Sequence, residues 1–390
     1  MNWLTTAAAP GLLHSLRFLY HDAARPLIFS LSAQRAHELT VELMRFADHP
    51  LITAALSGLH SLTFQPIPTQ VGGVTLDTPL ILAAGLVKGD GFGSEGASLL
   101  AVDSGHNLIP GWHSVPALVG PVEFGSFTRW PRSGNPGTVV WRDVETYSTQ
   151  NRVGLKNPGA AAAARFLGRH ADTLPPVFGI NIAVSPGVSD AEQEQQEVCE
   201  AVGLFQQHGI RPTWYTLNVS CPNTEDDPGD HQTEVRTRTL CRRLVEQLEG
   251  IPLWVKISPT LADSQYYTLL RVFAEEGVRA VIATNTDPQP VPDTPTLSAG
   301  VAGGRLHLRV LQVVRLLDAE RKTHGYHIDI IGCGGVRNII TAAEMLRAGA
   351  NAVQYWSALV YEGPLAAATI QHELIQTPQI IDRTYQQEPS

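Results

Sequence analysis

Eight short apolar runs punctuate the chain, at residues 80–84, 118–124, 177–182, 214–219, 253–257, 280–284, 328–331 and 352–355. Each is rich in Val, Ile, Leu or aromatic residues and too short for a buried helix. Each therefore reads as a strand in a sheet covered on both faces. Stretches with apolar residues at helical spacing separate most of them, for example 191–208, 237–248 and 341–348. This alternation predicts an α/β fold, a closed (β/α)8 TIM barrel. An open doubly wound sheet is the alternative, but no Gly-x-Gly-x-x-Gly follows the first run.

Ahead of the barrel, Leu12, Leu13, Leu16, Leu19 and Tyr20 recur near helical spacing, with His14, Arg17 and His21 between them. Pro26 interrupts. A second helix is expected to start near Ser30 or Ser32, either of which can cap it, and to run to Phe46. Short β-like runs at 139–141 and 145–148 predict a hairpin after the second strand. Residues 1–9 read as a frayed end. The expected division is a helical extension (1–65), a barrel (66–375) and a polar tail (376–390).

Composition narrows the class. Hydrophobic residues make up 43% of the 390 and charged residues 17%, a globular balance. A formal net charge of −9 argues against a nucleic-acid surface. The four cysteines, Cys199, Cys221, Cys241 and Cys333, lack metal-ligand spacing, so no metal site is expected. Reduced thiols in the cytoplasm are the simple reading. No apolar run reaches the ~18 residues of a spanning helix, and the first thirty residues lack the pattern of a secretory signal.

The chemistry concentrates at residues 213–224, Thr-Trp-Tyr-Thr-Leu-Asn-Val-Ser-Cys-Pro-Asn-Thr. Pro222 ends the strand, because proline has no amide to give a ladder. Asn218, Ser220, Cys221 and Asn223 therefore crowd one strand end. Amides offer donors and an acceptor to a planar polar ligand. A thiol beside them can act as base or nucleophile if its thiolate is stabilised. Lys256 stands inside the apolar run 252–257, and a buried ammonium needs a partner. Gly334 and Gly335 after the seventh run, and Ser357 after the eighth, suit the phosphate cradle of such barrels. Cys333 reads as a small buried residue.

The order Asn-x-Ser-Cys-Pro-Asn at 218–223 resembles the active-site strand of dihydroorotate dehydrogenases, the flavin enzymes of pyrimidine synthesis, with the pattern Asn-x-Ser-(Ser or Cys)-Pro-Asn. Ala83-Ala-Gly-Leu-Val-Lys88 resembles the family's Ala-Ala-Gly-Phe-Asp-Lys. Residues 151–159, Asn-Arg-Val-Gly-Leu-Lys-Asn-Pro-Gly, resemble its Asn-x-x-Gly-(Phe or Leu)-x-Asn-x-Gly. Gly300-Val-Ala-Gly-Gly304 resembles a Gly-x-Ser-Gly loop, and residues 71–76 the hairpin that closes the barrel bottom. The helix pair within 11–46 resembles the N-terminal extension of class 2 members.

The resemblance implies oxidation of (S)-dihydroorotate to orotate on bound FMN. It implies that Asn151, Asn218, Asn223 and Asn285 grip the pyrimidine, with Lys88 adding positive charge. Cys221 would take the C5 proton while the C6 hydride passes to the flavin, and Lys256 would steady the reduced flavin. Ala84, Gly85, Ser126, Asn181, Thr284, Gly303, Gly334, Gly335, Trp356 and Ser357 would contact the cofactor, together with Asn218 and Lys256. Asn157 would support its loop. The extension implies a quinone acceptor, a tunnel between the two helices, and peripheral contact of residues 11–46 with the inner face of the cell membrane; the alternative from amphipathicity is that both helices merely cover the barrel.

Some residues depart from the pattern. Cys221 and Leu155 resemble class 1, which lacks the extension. Leu86, Val87, Lys156 and the acidic run 225–230 have no counterpart, and the longer segment 106–116 has no assignment. The acceptor stays open between quinone, fumarate and NAD through a partner subunit, and the oligomeric state is open. A related FMN barrel acting on another dihydropyrimidine or enone, and a non-catalytic flavin-binding barrel, are the competing readings.

Overall fold

The computed structural model of the chain describes residues 3–220, 233–292 and 294–379, with side chains from residue 10 onward. Four helices lead in: α1 (Trp3–Leu19), α2 (Arg25–Ser30), α3 (Ala33–Ala47) and α4 (Pro50–Thr63). Pro26 does not break the chain where its ring suggested. It is the second residue of α2, and a π turn at Tyr20–Ala24 joins α1 to α2 with the backbone still helical, so the missing amide falls inside one continuous helical run. The break falls at 31–32, and Ser32 caps α3 by accepting from Arg35 N at 3.2 Å. Pro50 opens α4, for which the pattern made no provision.

Next comes a small hairpin, β1 (Thr69–Val71) and β2 (Val74–Leu76), then barrel strands β3 (Leu80–Leu82) and β4 (Val122–Phe127). A projecting hairpin follows, β5 (Val140–Asp143) and β6 (Ser148–Asn151). The barrel continues through β7 (Phe178–Ala183), β8 (Trp214–Asn218), β9 (Leu253–Ile257) and β10 (Ala280–Ala283). After a second hairpin, β11 (Asp287–Val291) and β12 (Thr294–Gly303), it closes with β13 (Asp329–Cys333) and β14 (Ala352–Tyr355). The closed order is β10-β13-β14-β3-β4-β7-β8-β9, all parallel. The second strand starts later than its apolar run. Leu118 and Val119 belong to the helix Ser114–Val119, which ends at Gly120 with φ +87°, a conformation glycine adopts without strain.

Two tryptophans plug the barrel bottom. Trp214 and Trp254 stack with centroids 4.4 Å apart, and Trp254 donates to Gly72 O at 3.0 Å in the turn of the β1–β2 hairpin. Asp329 fixes the same turn by accepting from Gly72 N at 2.6 Å. At the other end, β11, β12, β6 and β5 form a separate antiparallel sheet. It ties the loop after β4 to the loop after β10.

Candidate active site

The carboxyl ends of the barrel strands open onto one cavity, and every described residue that the sequence singled out for substrate or cofactor lines it. Cys221 and Asn223 lie outside the described residues, as does the acidic run. Ala84, Gly85 and Lys88 come from the loop after β3. That loop is laced to β4: Gly85 N donates to Gly125 O at 2.7 Å, and Gly125 N to Val87 O at 2.8 Å. Val87, the departure from the family's aspartate, is buried and packs in the main core.

The amides form a cluster. Asn218, at the end of β8, donates to Ser126 Oγ at 3.2 Å and accepts from Asn285 Nδ2 at 3.3 Å. Asn285 also donates to Ser220 O at 2.7 Å, and Ser220 Oγ donates to Lys256 O at 2.9 Å. This pins the strand end just before Cys221. Asn151 reaches the cavity from β6. Asn157 faces its own loop: its Oδ1 accepts from Gly159 N at 2.8 Å and its Nδ2 donates to Leu155 O at 2.7 Å.

Lys256 sits on β9, 6% exposed. Its Nζ donates to Gln354 Oε1 at 3.2 Å and meets Cys333 Sγ at 3.4 Å. Burial pushes the Cys333 thiol up, and the lysine charge pulls it part of the way back. A thiol held protonated in this way is an acceptor for the ammonium rather than a base. Cys333 therefore lines the cavity as a partner of Lys256, a role its reading as a plain small residue missed. Gln354 was missed too, although the signal was there: a polar residue inside a fully buried strand, the same anomaly that marked Lys256.

Two buried side chains on the cavity lining keep polar atoms unpaired among the described residues. Asn181, fully buried on β7, has no partner for Oδ1 or Nδ2 among the described residues, and Gln354 Nε2 has none either. An orphan buried amide is costly. A heteroaromatic ring system carrying donors and acceptors, such as a flavin, would satisfy both. Beside them, Gly303 (φ +91°) opens the helix Gly304–His324, and Gly334 (φ +149°) and Gly335 (φ +75°) follow β13. At that helix start Gly304 N already donates to Tyr147 O at 3.3 Å and Arg305 N to Ser148 Oγ at 3.0 Å, so the backbone turn at Gly334 and Gly335 is the part that suits a phosphate. A Cβ on Gly335 would lie 2.5 Å from His307 Cβ and 2.9 Å from Gly303 O. Gly335→Ala is expected to weaken flavin retention at least about tenfold, since the left-handed backbone alone costs ~1–2 kcal/mol. Flavin absorbance retained per protein after dialysis measures it, and wild-type retention would refute the cradle.

A second, more apolar cavity lies between α3, α4 and the barrel. It shares His37, Val140, Thr149 and Trp356 with the first. Burial holds the His37 imidazole down to about 4, and the charges of Lys88 and Lys156 push the same way against Glu38. The folded value lies below the reference of 6.5. The stability contributed by neutral His37 is therefore complete above that reference and falls as pH drops toward about 4, where the unfolded chain binds the proton first. Between about pH 7 and pH 4.5, urea unfolding should show wild type losing more stability than His37→Asn. Parallel curves would contradict the buried neutral imidazole.

A parallel barrel whose strand ends gather a buried lysine, an amide cluster and glycine turns around one cavity suits an enzyme that handles a planar polar ligand. A sequence profile described as dihydroorotate dehydrogenase matches residues 67–377. The chain belongs to the dihydroorotate dehydrogenase family. It is 32% identical over 377 residues to the dihydroorotate dehydrogenase (quinone) of Chloroflexus aurantiacus, covering 91% of this chain and 96% of that one. It is also 32% identical over 357 residues to the enzyme of the same name from Chromobacterium violaceum, covering 89% and 95%. In fold it is similar to the crystal structure of DHODH from Eimeria tenella in complex with ferulenol, with a TM-score of 0.69 at 22% identity over 89% of this chain and 93% of that one.

Proposed function

We propose that this chain oxidises (S)-dihydroorotate to orotate with bound FMN and passes the electrons to a quinone. The observation that carries the reading is Lys256. It is a buried lysine held by Gln354 and Cys333 on the lining of a cavity that Asn151, Asn218 and Asn285 also line.

Asn151, Asn218 and Asn285, with Asn223, hold the planar ring, and Lys88 faces the substrate carboxylate. The hydrogen bond between Asn218 and Asn285 fixes those two amides before substrate arrives, which lowers the cost of orientation. Cys221, the residue after the pinned Ser220, takes the C5 proton. A thiol with a reference pKa of ~8.5 is a better base near neutrality than a hydroxyl. FMN would be held by Asn181, Lys256, the loop at 84–85 with Ser126 and Thr284, and the turns at Gly303, Gly334, Gly335 and Ser357. When bound it supplies the two-electron acceptor for the C5–C6 oxidation. Lys256 places positive charge where negative charge builds up.

The apolar cavity supports the quinone assignment. Its lining includes Ile28, Leu43, Met44 and Leu56, and Trp356 and His37 join it to the first cavity. No helix among the described residues is long and apolar enough to cross a membrane. Leu27, Leu43, Phe46 and Leu51 are nevertheless exposed on α2, α3 and α4. This fits a division in which residues 1–65 lie peripherally on the inner face of the membrane and deliver the quinone to the barrel.

Anaerobic titration with (S)-dihydroorotate tests the reading, alongside Cys221→Ser and Cys221→Ala. The oxidised flavin absorbance of wild type should bleach and return on adding a short-chain quinone. Cys221→Ala should bleach at least about a hundredfold more slowly. A bound flavin indifferent to dihydroorotate would favour another dihydropyrimidine or enone as substrate.

A further inference from the structure

Residues 106–116, unassigned in the sequence, have a definite place. They leave the helix Glu95–Asp103, pass over the corner between α3 and α4, and enter the helix Ser114–Val119. His113, just before that helix, provides no side-chain cap. A helix this short leaves most of its amides unpaired within itself, so other groups must accept them.

Asp48 is the main acceptor. It follows α3 directly, and its Oδ1 accepts from His113 N at 3.3 Å, Ser114 N at 2.9 Å and Ser114 Oγ at 2.7 Å. Its Oδ2 accepts from Gly111 N and Asn107 Nδ2, both at 2.8 Å. The packing leaves no slack. Gly111 has φ +86°, and a Cβ there would lie 2.8 Å from Val115 Cγ2 and 3.2 Å from the Met44 sulfur. Trp112 anchors the far side, with its ring 4.5 Å from His170 and 5.8 Å from Phe166. One turn before Asp48, Arg45 bridges to Asp90 at 3.1 Å, and Asp90 also meets His106 at 2.8 Å.

We propose that residues 106–119 form a fixed wall of the acceptor cavity, that Val115 and Leu118 are specificity-determining residues for the acceptor, and that Asp48 is the positioning residue that holds this wall against α3. The proposal rests on the assignment of the apolar cavity to the quinone. Ser114, Val115, Leu118 and Val119 line that cavity with Met44 and Ala47 of α3. Two amphipathic helices laid on a barrel can slide. A carboxylate that ends one of them and caps the opposing wall sets their separation, and so the thickness of molecule the cavity admits. Asp48 lines neither cavity, so it acts through the wall and on the acceptor side alone.

The test uses the full-length flavin-loaded protein and separates the two half-reactions by stopped flow. Dihydroorotate reduces the flavin, and then a decyl-chain benzoquinone reoxidises it. For Asp48→Asn, the reductive rate and the apparent affinity for dihydroorotate should stay within about twofold of wild type. The KM for the quinone should rise about tenfold with kcat largely kept, the scale of a weakened charge-assisted hydrogen-bond set. Val115→Phe, which grows into the cavity, should raise the quinone KM as much. Its reoxidation by ferricyanide, a small hydrophilic acceptor, should be unchanged. If Asp48→Asn does not fold, Val115→Phe carries the test alone. A wild-type quinone KM in the folded variants, with wild type itself turning over quinone, overturns the wall. A wild type that bleaches with dihydroorotate but is not reoxidised by the quinone overturns the acceptor assignment, and this inference falls with it.

Discussion

Lys256→Met should give a folded, flavin-binding barrel that dihydroorotate reduces about 10²–10³-fold more slowly, the range seen when one preorganised electrostatic group is removed. The side chain lies at 6% exposure on β9. There a charge acts with little screening and needs no reorganisation when negative charge appears beside it. Methionine fills nearly the same volume, and exchanging a buried cation for an apolar chain often leaves stability near its starting value. Gln354 Oε1 would lose the donor it has at 3.2 Å, a cost of ~1–3 kcal/mol. The flavin midpoint potential should also fall, because the reduced form loses its nearby cation. Stopped-flow reduction, a thermal melt and a redox titration together decide it. A rate within about threefold of wild type would remove Lys256 from the chemistry.

Trp254→Ala is the second large effect, on stability rather than rate. The indole is fully buried, stacks on Trp214 at 4.4 Å and donates to Gly72 O at 3.0 Å. Truncation empties the floor of the barrel and leaves that carbonyl without its donor. A loss of about 3–5 kcal/mol is expected, read as a shift in urea midpoint at constant slope. Trp254→Phe should recover most of the packing but not the hydrogen bond. A loss below about 1 kcal/mol for the alanine variant would mean that the hairpin collapses into the space.

The barrel was legible because its strands are covered on both faces, so apolar runs mark them, although the second run also took in Leu118 and Val119 of a helix. Lys256 was legible for the converse reason, since packing gives no account of a cation there. Its partners were not. Cys333 and Gln354 face each other in the register of β13 and β14, and they reach the lysine across the barrel interior. No local spacing encodes that meeting. The second hairpin went unseen because Pro288 and Pro290 argue against a strand. They are tolerated because β11 is the edge of its sheet. The Asp48 cap joins residues far apart in sequence, and only the fold brings them together. The roles proposed for Cys221 and Asn223 come from the sequence motif.

The small sheet at the barrel mouth bears on attempts to rebuild this site. Asn151 on β6 pairs with Gly300 on β12, and Ser148 with Gly303. The asparagine proposed to hold the ring and the glycine proposed for the cofactor are thus counted along one ladder, where a slip of one residue would turn Asn151 to the opposite face. Loop grafting between barrels usually treats each strand-end loop as a separate cassette. Here the loops after the second and sixth barrel strands are a single part in two pieces of chain. A donor loop of different length at either position would shift the other, so they must be exchanged as a pair.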